Sequence, residues 1–155
     1  MQRASSTVGA IAAALAKAQV ELSNPEKSLT AQIRAGGSHG PLRSFRYAPL
    51  SSGLDIVRKT LGRHEIATFQ TTAIEPATNC VNLTTVLAHS SGEWVASDWP
   101  VFSMTDRMAS HQTGAALTYA RRYSLFTLVG IAGEDDLNGD LPLQSATPSQ
   151  MPISN

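Results

Sequence analysis

Cysteine is almost missing from this 155-residue chain, and so is any surplus of one charge sign. The single Cys80 excludes an intrachain disulfide framework and fits a reducing compartment. One cysteine and four scattered histidines (His39, His64, His89, His111) offer no zinc-ligand spacing. No apolar run approaches the roughly eighteen residues of a membrane span. The phosphate-loop pattern, two glycines separated by four residues and followed by Lys and Ser or Thr, is absent, which argues against ATP-driven chemistry. Nor is there an internal repeat.

The zero formal net charge hides an asymmetry. Glu134, Asp135, Asp136 and Asp140 fall within the last 22 residues, which hold no base, so twelve bases face eight acids over 1–133. Between Arg34 and Arg63 stand Arg34, Arg43, Arg46, Arg58, Lys59 and Arg63, opposed by Asp55 alone. A basic folded part with an acidic tail favours a polyanion partner.

The pattern of elements predicts an α+β domain. Arg3, the apolar run Val8–Ala16 and Ala14-Leu15-Ala16 resemble a secretory signal with its cleavage site. Val8, Ile11, Leu15, Ala18 and Leu22, however, recur at helical spacing, with Lys17, Gln19 and Glu21 on other faces. That spacing favours an amphipathic helix over about Thr7–Leu22 that docks on the rest, capped by Ser5 or Ser6 and ended by Asn24-Pro25. Residues 35–41 read as a flexible loop and Leu42–Tyr47 as an extended piece. Pro49 and Ser51 open a second helix with the stripe Leu50, Leu54, Val57, Leu61 and a stop at Gly62.

Ile66–Ile74, Cys80–His89 and Glu93–Val101 are rich in Thr, Val, Ile and aromatics and read as an antiparallel meander. Trp94 and Trp99 of the last run are expected in the core or at a subunit interface. Asp106 is the expected cap of a long final helix. The expected division is an N-terminal helix and linker over 1–34, a core over 35–137 and a disordered acidic, polar tail over 138–155. Helices should cover one face of the sheet.

Gly114–Asp136 carries the most chemistry. As a helix it places Tyr119, Arg122 and Tyr123 together, with Arg121 roughly a quarter-turn away. Small residues (Gly114, Ala115, Ala116, Thr118, Ala120) line its first half, and it breaks at glycine before turning acidic. Guanidiniums beside rings suit phosphate binding and base stacking. Arg43-Ser44-Phe45-Arg46-Tyr47 interleaves bases and rings again; on a strand Arg43, Phe45 and Tyr47 share one face, Ser44 and Arg46 the other. An edge strand with Phe45 in the core is the alternative there. Gly36-Gly37-Ser38-His39-Gly40 matches a nucleophile-elbow pattern, but Arg34 and Pro41 stand where a strand and a helix are needed. Glu134-Asp135-Asp136 is either a magnesium-binding cluster of a metal-dependent nuclease, a solvated terminus, or a partner for arginines of the same or a neighbouring subunit.

With these residues in place, the chain resembles the Erf (essential recombination function) family of phage and prophage single-strand annealing proteins. The matching segments are Phe45–Leu50, Leu54–Leu61 leading to His64–Gln70, Gly114–Tyr123 and Gly130–Asp136, within roughly Leu42–Leu137. The glycine-rich Ala35–Pro41 departs from the family's usual short connection. The resemblance implies a fold similar to the ring-forming annealing proteins of eukaryotic recombination, with a β-meander packed against a long helix. It also implies rings or helical filaments of subunits, and a basic pair lining an inner DNA groove.

By that analogy Arg121 and Arg122, with Tyr119, Tyr123 and Tyr47, contact single-stranded DNA, while Arg43, Arg46, Arg58 and Lys59 form the groove walls. On this expectation Arg121→Ala or Arg122→Ala weakens binding by about 1–2 kcal/mol and leaves the fold intact. Annealing of a complementary strand needs no cofactor, metal or bond-making step. The expected setting is the bacterial host cytoplasm. A host single-strand binding protein or a phage exonuclease is a candidate partner. Two other classes remain: a metal-dependent single-strand nuclease, and a non-catalytic assembly module.

Overall fold

The computed structural model describes residues 2–34, 40–106 and 108–135. The glycine-rich loop (apart from Gly40 and Pro41), Asp136 and the 138–155 tail lie outside them.

Alternation of Thr, Val and Leu builds the main sheet. Strands β4 (Ile66–Glu75), β5 (Cys80–His89) and β6 (Trp94–Ser103) form the expected antiparallel meander. In β5, Val81, Leu83, Thr85 and Leu87 are buried while the intervening residues are half-buried, as expected of a central strand lined on one face. Asn79 (φ 52°) and Gly92 (φ 87°) make the two turns. A short strand β1 (Gln2–Ala4) lies antiparallel to β6, giving the order β1-β6-β5-β4. Arg3 clamps Asp98 through Nε and Nη2 at 3.0 and 2.8 Å, and Thr84 donates to the same carboxylate at 2.7 Å.

Three helices, α1 (Gly9–Glu21), α2 (Leu50–Arg63) and α3 (Ser110–Val129), pack on this sheet. Ile11, Ala14 and Ala18 of α1, Val57 and Leu61 of α2, and Leu125 and Val129 of α3 share one core with Ile66 and Leu87 of the sheet. The architecture is therefore α+β. Strands β2 (Leu29–Arg34) and β3 (Leu42–Tyr47) form a separate antiparallel hairpin in which Leu29 faces Tyr47 and Ile33 faces Arg43.

Three termini differ from expectation. The α1 cap is neither Ser5 nor Ser6: Ser5 pairs with Trp94 at the sheet edge, and Glu93 Oε2 instead accepts the Ile11 N–H at 2.9 Å. That bond and the Ala10 and Thr7 donors hold the Glu93 carboxyl below its usual range. Helix α2 runs through Gly62, and the left-handed residue that turns the chain is Glu65 (φ 58°). Asp106 accepts the Ser103 N–H and closes the turn after β6, whereas at the start of α3 the Gln112 side chain accepts the Ala109 N–H at 3.0 Å. The α3 break falls at Gly130 (φ 77°), whose N–H and that of Ile131 both reach the Phe126 carbonyl.

Candidate nucleic-acid interface

Helical spacing on α3 brings Tyr119 and Tyr123 to a ring separation of 4.2 Å, with Arg122 beside both at 5.5 and 5.1 Å. The hairpin supplies the third ring: Tyr47 of β3 lies 4.7 Å from the same guanidinium, and Phe45 lies 6.0 Å from Tyr47. Tyr119, Arg122, Tyr123 and Tyr47 thus meet in one cluster. Tyr119 is its outer member, 53% exposed.

After Gly130 the chain turns back along the hairpin. Ala48 N–H donates to the Gly133 carbonyl at 2.7 Å, Tyr47 bridges Glu134, and Asp135 N–H donates to the Arg46 carbonyl at 3.1 Å. This return needs a residue without a side chain, because Gly133 packs closely against Cδ2 and Cε2 of the Phe126 ring, while Gly53 of α2 packs against its Cε1 and Cζ. It carries Glu134 to Arg122 Nη2 at 3.0 Å, with the two side chains only 23% and 11% exposed. Asp135 accepts from Lys27 Nζ at 3.1 Å and Arg46 N–H at 2.9 Å, with Arg46 Nε at 3.7 Å. The Arg46 amide and then the Lys27 ammonium hold its carboxyl below the usual range. Burial and the neighbouring Glu134 carboxylate push the Tyr123 phenol upward, so it stays a neutral donor. A cleft of roughly 350 Å³ opens beside this contact, lined by Arg122, Tyr123, Phe126, Thr127 and Glu134.

The remaining expected site residues are dispersed. Arg121 turns toward β4, where its Nε donates to Gln70 Oε1 at 3.2 Å while Gln70 Nε2 donates to the Arg121 carbonyl and to Thr85. Thr85 in turn shares a buried 2.6 Å hydrogen bond with Ser124. Arg43 and Arg46 stand on opposite faces of β3, Arg43 half-buried and Arg46 exposed. Arg58 and Lys59 are exposed on α2 and make no ion pair among the described residues.

Glu134 and Asp135 pair with cations of the same chain, two of them arginines, one of the alternatives open from sequence. Glu134 and Asp135 face cations, and no group of three or more His, Cys, Asp or Glu side chains converges among the described residues. Lys27 was not a sequence candidate. It sits in a connection without periodicity, and nothing local marks it as a partner of a residue 108 positions away.

Among the described residues no helix is long and apolar enough to cross a membrane. Comparison with curated proteins and with solved structures gives no match. The family model of the ERF superfamily matches residues 11–150, which takes in α2, α3, most of α1, strands β2 to β6 and the cation–tyrosine cluster, and leaves out β1. The chain belongs to the ERF superfamily, a family of phage-type single-strand annealing and recombination proteins.

Proposed function

We propose that this protein anneals single-stranded DNA without nucleotide hydrolysis, working in the host cytoplasm as a ring or filament. Its subunits hold one strand by the phosphates and leave the base edges free to test a second strand. Catalysis is then positional: arginine screens strand repulsion while bases are held in register. In this scheme Tyr119 and Tyr47 offer ring faces to bases, and Arg121, Arg43, Arg46, Arg58 and Lys59 supply cationic walls. Arg122 contacts the strand as well and sets the ring positions. A host single-strand binding protein is the proposed partner of the tail, and a phage exonuclease is a further proposed partner of the protein. The similarity to ring-forming annealing proteins belongs to the same proposal.

The observation that carries this reading is the Tyr47–Arg122–Tyr119–Tyr123 cluster. It ends in an exposed ring beside the basic hairpin, within a family match that spans it. Stacking on such a ring accepts any base and contributes about 1–3 kcal/mol per base.

Filter binding of a labelled oligothymidine tests it. Affinity should fall roughly tenfold for a few-fold rise in salt, and Tyr119→Ala should weaken binding by about 1–2 kcal/mol with an unchanged melting temperature. Complementary oligonucleotides should anneal faster with protein and no ATP. Salt-insensitive binding, or full affinity in Tyr119→Ala, would remove the cluster from the DNA path.

A further inference from the structure

Two adjacent carboxylates satisfy three cations brought in by three different elements. Arg122 comes from α3, Arg46 from β3 and Lys27 from the connection between α1 and β2. A guanidinium fork donates to carboxylate and to phosphate oxygens in the same geometry. The cations that a nucleic-acid backbone would need are thus already occupied by the protein's own anions. We propose that Gly133–Asp135 is an acidic strap seated in the phosphate positions of the cluster, and that single-stranded DNA displaces it. The inference rests on the DNA-binding function proposed above and adds how that site is regulated.

The anchoring of the strap is uneven, as displacement requires. Gly133 is buried against Phe126 and held by the Ala48 N–H, so it is a fixed end. Beyond it, Glu134 and Asp135 are held by the Asp135 N–H bond that completes the Tyr47 bridge, by the Arg46 amide and by ion pairs. Side chains of Lys27, Arg46 and Asp135 are 28%, 66% and 35% exposed, so water and competing anions reach these pairs. An anion tethered in the same chain competes at high effective concentration. It lowers the apparent affinity by the fraction of time the seats are filled. A strand held this way exchanges readily, which suits a protein that must sample registers before annealing.

Removing a strap charge should tighten binding. Fluorescence anisotropy with a labelled oligothymidine should show Asp135→Asn binding about three- to fivefold tighter than the parent, the range an exposed ion pair spans, and Glu134→Gln, whose pair is more buried, tighter by at least as much. The dependence of log affinity on log salt should steepen by about 0.7 for each phosphate newly engaged. Glu75→Gln, an exposed acid at the end of β4, corrects for net charge alone and should change affinity far less.

In the unmodified protein, saturating oligothymidine should speed hydrogen exchange at the Asp135 amide, because its bond to the Arg46 carbonyl opens. Weaker binding by both strap variants at unchanged melting temperature would overturn the strap while leaving DNA binding intact. So would an Asp135 amide that becomes more protected. If neither parent nor variants bind at low salt, the DNA function itself falls, and the strap with it.

Discussion

Arg122→Ala should destabilise the protein substantially, contrary to what a solvated DNA-contacting arginine would do. The substitution removes the guanidinium from the Glu134 contact at 3.0 Å and leaves a carboxylate only 23% exposed without its cation. Exposed pairs contribute up to about 1 kcal/mol, whereas breaking a fully buried pair costs about 3–5 kcal/mol. Burial here places the cost between them, at about 2–3 kcal/mol.

Loss of the ring contacts at 4.7, 5.1 and 5.5 Å adds about 1 kcal/mol, since one guanidinium shared among three rings does not count three times. A total of about 3–4 kcal/mol lowers the melting temperature of a domain this size by roughly 6–15 °C. Arg121→Ala loses one hydrogen bond to Gln70 and should cost only about 1 kcal/mol. Calorimetry of both variants, with Glu134→Gln and the Arg122→Ala/Glu134→Gln double variant, closes a cycle whose coupling should exceed about 1 kcal/mol. If Arg122→Ala melts within about 2 °C of the parent, the guanidinium is not a structural tie between α3, the hairpin and the returning chain.

Two further outcomes follow from the packing and the ionised groups. A methyl placed on Gly53 would overlap Phe126 Cε1 and Cζ, so Gly53→Ala should cost about 2–3 kcal/mol in denaturant unfolding, and Phe126→Leu in that background should recover part of it. Glu21, Glu93, Asp98 and Asp135 all titrate below their usual range in the folded protein. Their stabilisation is therefore complete above the unfolded values and is lost as pH falls below about 4.5. Thermal melting from pH 7 to 3 should be flat above about 5 and drop below, with Glu93→Gln, which weakens the α1 cap, showing a shallower drop.

Periodic patterns were legible where an element buries one face along its whole length. Strand β5 and the Val57–Leu61 side of α2 are such cases, and the meeting of Tyr119, Arg122 and Tyr123 on α3 was legible from helical spacing alone. The three residues of β1 are too few to show alternation, and their register depends on a carboxylate 95 positions away. In β2, Leu29, Ala31 and Ile33 do alternate with Thr30, Gln32 and Arg34, but the weak burial of the hairpin leaves that pattern without strong apolar contrast. Caps were misplaced because the nearest polar residue was not the one with a free acceptor: Glu93 arrives from the sheet, and Gln112 reaches back from within α3. The arginine pair was visible as a motif. Its unequal environments were not, because Gln70 and Glu134 approach from outside the helix.

Those unequal environments bear directly on how a cation can serve both fold and ligand. Rings stack on the faces of a guanidinium, while its N–H donors lie at the planar edge. Arg122 has tyrosine rings about it at 4.7–5.5 Å, so its faces are dry and its edge must find an anion. Glu134 fills that need within the chain. Any polyanion entering the cluster must therefore replace a carboxylate, not merely water, and the exchange is close to balanced because one charge-assisted bond is traded for another. Arg121 is different: its Nε is tied to a neutral glutamine, so a phosphate would find its charge uncompensated. The neighbouring arginines should then separate in assay, with Arg121 contributing mainly to affinity and Arg122 both to affinity, once Glu134 is displaced, and to the architecture that keeps Tyr47 and Tyr119 in place.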